Sequence, residues 1–265
     1  MGKPILLLRL EGPLQSWGLA ARWDVRDTSY EPTKSGVIGL LGAALGLARG
    51  HERLETLDAK LRFGVRVEHA GRKITDYQTI TDYLPTAGGS YKMSGSKTAS
   101  TLEAARKNGV PATVISPRDY LEDAAFLVAL EAREGGEDDL AGAAHAVQHP
   151  RWPLFLGRRA CPPSRPLFES FSDDYTDLQD ALERHPWHWL GALHLEDGEV
   201  QERRRVFRGA ALEAWIETDE PLAPSIVSRQ DALRHNAARL YEFRFARRLL
   251  PIILPQFSTS TEVTP

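Results

Sequence analysis

Two short, nearly continuous apolar runs, PILLLRL at 4–10 and AAFLVALE at 124–131, constrain this chain most. Each is too short for a globular helix and rich in branched aliphatics, so each reads as a buried strand, the first running into a Gly-Pro turn. Between them lie a helical segment over 36–48, closed by Arg49 and Gly50 in the manner of a left-handed C-terminal cap, and the alternating run LRFGVRVEH at 61–69. In that run Leu61, Phe63, Val65 and Val67 interleave with Arg62, Arg66 and Glu68, which predicts a half-buried strand with a basic outer face. ATVISP at 112–117 adds a strand, and EDDLAGAAHAVQ at 137–148 a helix stopped near Pro150. Strand, helix, strand, then strand, helix is the split βαβ order of a ferredoxin-like or RNA-recognition-motif-like α+β sheet.

Two stretches fall outside that order. LPTAGGSYKMSGSKTAS at 84–100 has too little apolar content to pack and is too long for a tight turn, which predicts a flexible insertion. The last third holds WLGALHLEDGEVQERRRVF, with an Asp-Gly turn between strand-like arms, and LYEFRFARR, with Tyr241, Phe243 and Phe245 on one side. These segments predict a smaller β-rich lobe over 176–265 beside a larger domain over 1–175.

At 265 residues, 42% hydrophobic and 26% charged, the chain has the composition of an ordinary globular protein. No apolar run approaches the roughly 18 residues of a membrane span, and the N-terminus lacks a signal-peptide pattern, so a cytoplasmic protein is expected. The single cysteine, Cys161, excludes an internal disulfide and a thiolate metal cage. A net charge of −3 argues against a free nucleic-acid scavenger. The charge is nevertheless segregated: 60–118 and 148–168 are rich in Lys and Arg, whereas 119–147 and 169–200 are acidic. Such blocks form either solvated faces of mixed sign or a polyanion groove with a separate protein-docking surface.

PTKSGVIGLLGAALG at 32–46 carries the densest signal. It is not a phosphate-binding P-loop, because Thr28 and Thr33 occupy the positions where that motif needs glycine. Gly39, Gly42 and Gly46 share one helical sector, a row that suits close passage of another backbone. Thr33, Lys34, Ser35 and Gly36 stand at the helix N-terminus, where free amides and the helix dipole favour an anion such as a phosphate. Upstream, Trp17 sits between Ser16 and Gly18, with Gln15, Arg22 and Arg26 nearby: a stacking face, base-edge hydrogen bonding and phosphate neutralisation for a single strand. The competing readings are a helix with an ordinary Thr cap packed under a sheet, and a tryptophan lid over the core.

The segments LRLEGPLQSWG at 8–18, PTKSGVIGLLGAALG at 32–46, RDYLEDAAFLVAL at 118–130 and PLFLGRRACPPSRPL at 153–167 together resemble the CasD family, subunits of the type I-E CRISPR surveillance complex, Cascade. The likeness covers most of 4–168 and thins beyond it, where VSRQ at 227–230 and a terminal strand are similar. The resemblance implies a ferredoxin-like fold with a long β-hairpin thumb, here the insertion over 76–117. It also implies binding of the 5′ repeat-derived handle of CRISPR RNA (crRNA), contacts to the CasC backbone and CasA large subunits, and proximity to target DNA in the assembled particle.

The residues and the resemblance together nominate Gln15, Ser16, Trp17, Gly18, Arg22 and Arg26 for handle nucleotides, and Lys34, Ser35 and Gly36 for phosphate. Tyr91, Lys92 and Lys97 are nominated in the thumb, Arg118 and Tyr120 where it rejoins the sheet, and Arg158 and Arg159 in a glycine-containing loop. For the last two the alternative is surface salt bridging.

Type I-C relatives cut repeat RNA with a general base and a stabilising cation. Tyr77, Lys92, Tyr120 and His69 are the candidates here, but their spacing fixes no mutual geometry, and the resemblance implies a non-catalytic subunit without a cofactor. Neither His145 with His149, which lacks the glutamate of H-E-x-x-H, nor the set His185, His188 and His194 reads as a metal site.

Overall fold

The computed structural model describes residues 2–18, 26–187, 211–221, 225–235 and 240–253. In chain order the elements begin with β1 (Ile5–Glu11), β2 (Leu14–Gln15), α1 (Lys34–Leu45), α2 (Arg53–Lys60) and β3 (Leu61–His69). A projecting segment follows: β4 (Arg72–Asp82), β5 (Leu84–Pro85), β6 (Tyr91–Lys92), β7 (Thr98–Ala99), α3 (Leu102–Asn108) and β8 (Ala112–Glu122). The chain then returns through β9 (Ala125–Ala132), α4 (Glu137–Gln148), β10 (Phe168–Ser172) and α5 (Leu178–Arg184). It closes with β11 (Ala211–Leu212), β12 (Ala214–Thr218), β13 (Ile226–His235), β14 (Leu240–Arg248) and β15 (Ile252–Ile253).

The principal sheet has seven strands in the order β10-β1-β9-β3-β12-β14-β13, every neighbouring pair antiparallel. β1 is buried along its whole length and β9 through Glu131, because both faces of the sheet are covered. On one face Leu6, Leu8, Leu10, Phe126, Val128 and Leu130 pack with α1 and α4. On the other, Ile5, Leu7, Leu127 and Ala129 pack with Leu178, Ala181 and Leu182 of α5 and with Trp187. The continuous apolar spelling of these two strands is the sequence image of double coverage. The described strands of the last third, β12, β14 and β13, extend this same sheet beyond β3.

The outer face expected of β3 is instead interior. Arg66 and Glu68 are fully buried, and Arg66 Nε meets Glu68 Oε1 at 2.5 Å. The Arg66 guanidinium donates to the carbonyls of Leu182, His185 and Pro186, capping the C-terminus of α5. Arg9 of β1 reaches Glu68 at 3.3 Å and Glu169 at 3.2 Å. The side-chain bond from His185, with Arg9 beside it, holds the Glu169 carboxyl down at about 2. Charges at these alternate positions are tolerated because each is paired and hydrogen-bonded.

The insertion is built rather than formless. β4 and β8 pair in unbroken register from Arg72↔Glu122 to Asp82↔Ala112, making a long hairpin with short strands and α3 at its far end. α1 ends earlier than expected, at Leu45, with Gly46 in the left-handed conformation (φ 73°) and its N–H on Ala43 O. The glycine row does not receive a backbone along its length. A Cβ at Gly42 would strike the Leu54 side chain, one at Gly36 the Trp17 ring, and Gly39 faces open space. The Asp-Gly turn segment and its flanking arms at 189–207, and Arg22, His188 and His194, lie outside the described residues. Among the described residues no helix is long and apolar enough to cross a membrane.

Candidate nucleic-acid interface

The site begins where β2 leaves the sheet. The Gln15 amide donates to Leu10 O (3.1 Å) and Ala124 O (2.7 Å), while its oxygen accepts from Trp17 Nε1 at 3.0 Å. Trp17 is 1% exposed; its N–H donates to Thr28 Oγ1 and its carbonyl accepts from Ser29 N. Gly36 is glycine because its Cβ would come within 2.9 Å of the indole. Gln15 and Trp17 therefore lock the loop to α1 and present no stacking face; they underlie the surface that the sequence assigned to them.

A second loop, 156–161, lies on this one. Ser16 N donates to Leu156 O at 3.0 Å, and Gly157 (φ +94°) approaches so closely that a Cβ would be 1.8 Å from Ser16 O. Here the chain needs both positive φ and an absent side chain. Arg158 donates to Asp119 O (2.9 Å), Arg26 O (2.8 Å) and Asp27 O (3.3 Å), and its guanidinium lies 4.7 Å from the centre of the Tyr120 ring. It braces the site through backbone carbonyls, not through the surface salt bridges weighed from sequence. Arg159 is exposed beside it.

These loops, the first turn of α1 and the start of β14 enclose an open cleft of about 230 Å³. Ser16, Trp17, Gly18, Arg26, Ser35, Gly36 and Arg158, all nominated from sequence, line it together with Asp27, Thr33, Gly157 and Tyr241. Arg26 is exposed, and its main chain bridges to Arg118 of β8 through Arg26 N to Pro117 O and Asp119 N to Arg26 O. The cleft thus sits at the root of the hairpin. Lys73 of β4 bonds Asp119 at 2.8 Å, which raises the lysine's affinity for its proton and lowers the carboxylate's. Tyr91, Lys92 and Lys97 are carried at the far end of the hairpin, the two lysines exposed.

The helix N-terminus departs most from expectation. Thr33 caps Gly36 N, and the Lys34 N–H donates to the Asp231 carboxylate at 2.7 Å, so the protein's own acid takes an amide that the sequence offered to phosphate. The Lys34 side chain is buried, 3.0 Å from Glu217 and 3.8 Å from Asp58. It lines a different cavity, of about 480 Å³, with Asp58, Arg133, Asp219, Phe243 and Phe245. Burial, with Lys34 pulling the other way, pushes the Asp58 carboxyl up to about 6. Tyr241 carries no local binding signal, because LYEFRFARR reads as part of a separate lobe; its strand joins the principal sheet, and Tyr241 lines the cleft with Ser35 and Gly36 of α1.

The candidate catalytic side chains do not converge. Tyr120 is buried beneath Arg158, His69 Nδ1 lies 2.7 Å from Asp123 O, and Tyr77 is exposed on the hairpin. His185 bonds Tyr175 and Glu169, and the rings of His145 and His149 meet at a tilt of 48°, their centres 5.0 Å apart. Among the described residues no group of three or more His, Cys, Asp or Glu is placed to hold a metal.

Residues 5–235 match the family model described as CRISPR-associated protein (Cas_Cas5). A curated relative from Escherichia coli (strain K12), "CRISPR system Cascade subunit CasD", is 34% identical over 167 residues, 62% of this chain and 69% of that protein. A solved structure titled "Crystal structure of Cas protein" is 30% identical with a TM-score of 0.61, covering 96% of this chain and 99% of that one. Another, "CRISPR RNA-guided surveillance complex", is 27% identical with a TM-score of 0.62, covering 95% and 91%. With every described lining residue of the cleft except Tyr241 inside the matched span, this chain belongs to the CRISPR-associated protein (Cas_Cas5) family.

Proposed function

We propose that this chain is the crRNA-binding subunit of a type I-E CRISPR surveillance complex, holding the 5′ handle of the RNA in the cleft at the hairpin root. The family match over 5–235 carries this reading, together with the likeness to a relative named as a Cascade subunit. The cleft supports it: Ser35 offers a hydroxyl, Arg26 an exposed cation and Tyr241 an aromatic wall, and half-exposed Arg118 is bridged to Arg26 beside it. Such a set suits a ribose-phosphate strand, for which stacking and charge neutralisation are distributed over many contacts.

In this reading β1, α1, β3, β9, α4 and β10 form the ferredoxin-like unit of a binding domain over 1–175. It is supported by the strand order β10-β1-β9-β3, which places the fourth strand of the unit beside the first. The smaller β-rich lobe is residues 176–265, of which β12, β14 and β13 continue the sheet beyond β3. The hairpin is the thumb, with Tyr91, Lys92 and Lys97 reaching toward RNA and target DNA, and the CasC and CasA subunits pack around it in the cytoplasm. The subunit is non-catalytic: Tyr120 and His69 are engaged in structure, away from any common centre.

The test is purification of the full chain with its untagged partner subunits and a repeat-containing transcript. An RNA with a repeat-derived 5′ end accompanies the wild-type complex and is depleted by Arg26→Ala combined with Arg118→Ala and Arg159→Ala. Assembly indifferent to RNA overturns the reading. So does site-specific cleavage of repeat RNA by the isolated chain in EDTA that Tyr77→Phe or Lys92→Ala abolishes.

A further inference from the structure

The larger cavity, of about 480 Å³, has no part in RNA binding as proposed above. Lys34, Arg133 and Arg244 beside it are paired with acids. Lys34 sits 3.0 Å from Glu217, Arg133 spans Glu217 (3.2 Å) and Asp219 (2.9 Å), and Arg244 grips Asp231 at 2.7 and 2.9 Å. Arg62 turns to Glu131 and to the Glu217 carbonyl. Among the described residues, the acids Asp58, Glu217, Asp219 and Asp231 share this corner with Lys34, Arg133 and Arg244.

Asp58 is the least tightly paired of these four among the described residues. It is 4% exposed, its nearest cation among the described residues is Lys34 at 3.8 Å, and, although the Leu233 backbone bonds its carboxyl, its Oδ1 is buried without a hydrogen-bond partner among the described residues. Lys34 faces it from α1, Glu217 from β12, and Asp231 and the backbone at Leu233 from β13. Burying a carboxylate with an idle oxygen is costly unless a proton or a cation supplies what is missing. The same cavity is lined by Phe245 and by Phe243, which is 66% exposed on a strand otherwise paired on both sides.

We propose that this cavity is a socket for an arginine side chain of a partner protein, its guanidinium lying against Phe243 and donating to Asp58. A planar cation suits both halves of the wall, since it stacks on an aromatic face while forking toward a carboxylate. A protein partner is indicated because an exposed aromatic beside a buried carboxylate with an unpartnered oxygen is the arrangement of an interface anchor. The site is separate from the RNA cleft, so the two readings stand or fall independently.

The proposal is tested by NMR of the full-length chain labelled on phenylalanine rings, titrated at pH 7.5 with N-acetyl-L-argininamide as the probe. Saturable shifts of Phe243 and Phe245 are expected, with N-acetyl-L-lysinamide weaker. Asp58→Asn, and separately Phe243→Ala at its exposed position, each weaken the apparent affinity about tenfold, read at Phe245. Lowering the pH through 6 makes the wild type behave like Asp58→Asn, because the Asp58 carboxyl titrates at about 6 and takes a proton in place of the cation. A non-saturating response, an undiminished response in Asp58→Asn, or preference for the lysine probe overturns the proposal.

Discussion

Seven residue pairs join β1 to β9 and eleven join β4 to β8, so the hairpin has the longer ladder. The shorter ladder is the more deeply embedded: every residue of β1 is buried, whereas β4 is exposed except at Ile74 and Gln78, which are half-exposed. Backbone hydrogen bonds are common to both, and their net worth is modest because water competes for the same groups. Side-chain burial separates them. The sheet core is self-sufficient, and the hairpin is held mainly at its root, where Arg158 and the Arg26 bridge fasten it.

The largest effect that would break this contrast is in the core. Phe126→Ala removes a fully buried ring between β1 and β3 and is expected to cost about 3–5 kcal/mol in urea unfolding of the full chain. Gly157→Ala comes next: strain at φ +94° and a clash with Ser16 O are expected to cost about 1–3 kcal/mol, read as a lowered Tm. The cost falls on the loop that carries Arg158, so proteolysis at the hairpin root should accelerate in the same variant.

A pH measurement sharpens the comparison further. The folded Asp58 carboxyl, at about 6, lies above its ordinary value of 3.8, so the folded state holds an extra proton between them. Its contribution to stability therefore rises as pH falls from 6 toward 3.8, and Asp58→Asn abolishes that part of the profile. Asp119 at the hairpin root has the opposite sign: its carboxyl is lowered by Lys73, so its contribution is lost as pH falls below its ordinary range. The difference between wild-type and Asp58→Asn unfolding curves at each pH isolates the first effect.

The smallest effect is expected on the hairpin. Ile115 is 60% exposed, and Ile115→Ala should change the stability of the isolated chain by less than about 0.5 kcal/mol. A loss as large as that of Phe126→Ala would mean that the hairpin is part of the core.

Much of the fold was legible because its signals are local. The apolar runs became β1 and β9, EDDLAGAAHAVQ became α4 over the same residues, and LYEFRFARR became β14. The β3 alternation misled because period two reports which side chains share a face, not whether α5 later covers it; Arg66 and Glu68 look like surface residues until that helix is placed. The cleft was legible in part. Ser16, Gly18, Arg26, Ser35 and Gly36 meet as the motifs suggested, but Trp17 and Lys34 turn inward toward Gln15 and Glu217. Their partners are fixed by tertiary packing, in Lys34's case from a strand far along the chain. α2, α3 and α5 carry short helical patterns that the broad strand and helix signals overshadowed.

The bond from Lys34 N–H to Asp231 spans 197 positions, and the Lys34 ammonium pairs with Glu217 across 183. On a ribosome, the first helix is therefore made long before the acids that complete its amino end exist. Until the final strands emerge from the exit tunnel, only Asp58 is at hand to shield that ammonium. Native closure of this corner is thus deferred to the last stage of synthesis, so a nascent chain stalled before β12 would expose an unfinished seam where a chaperone could bind.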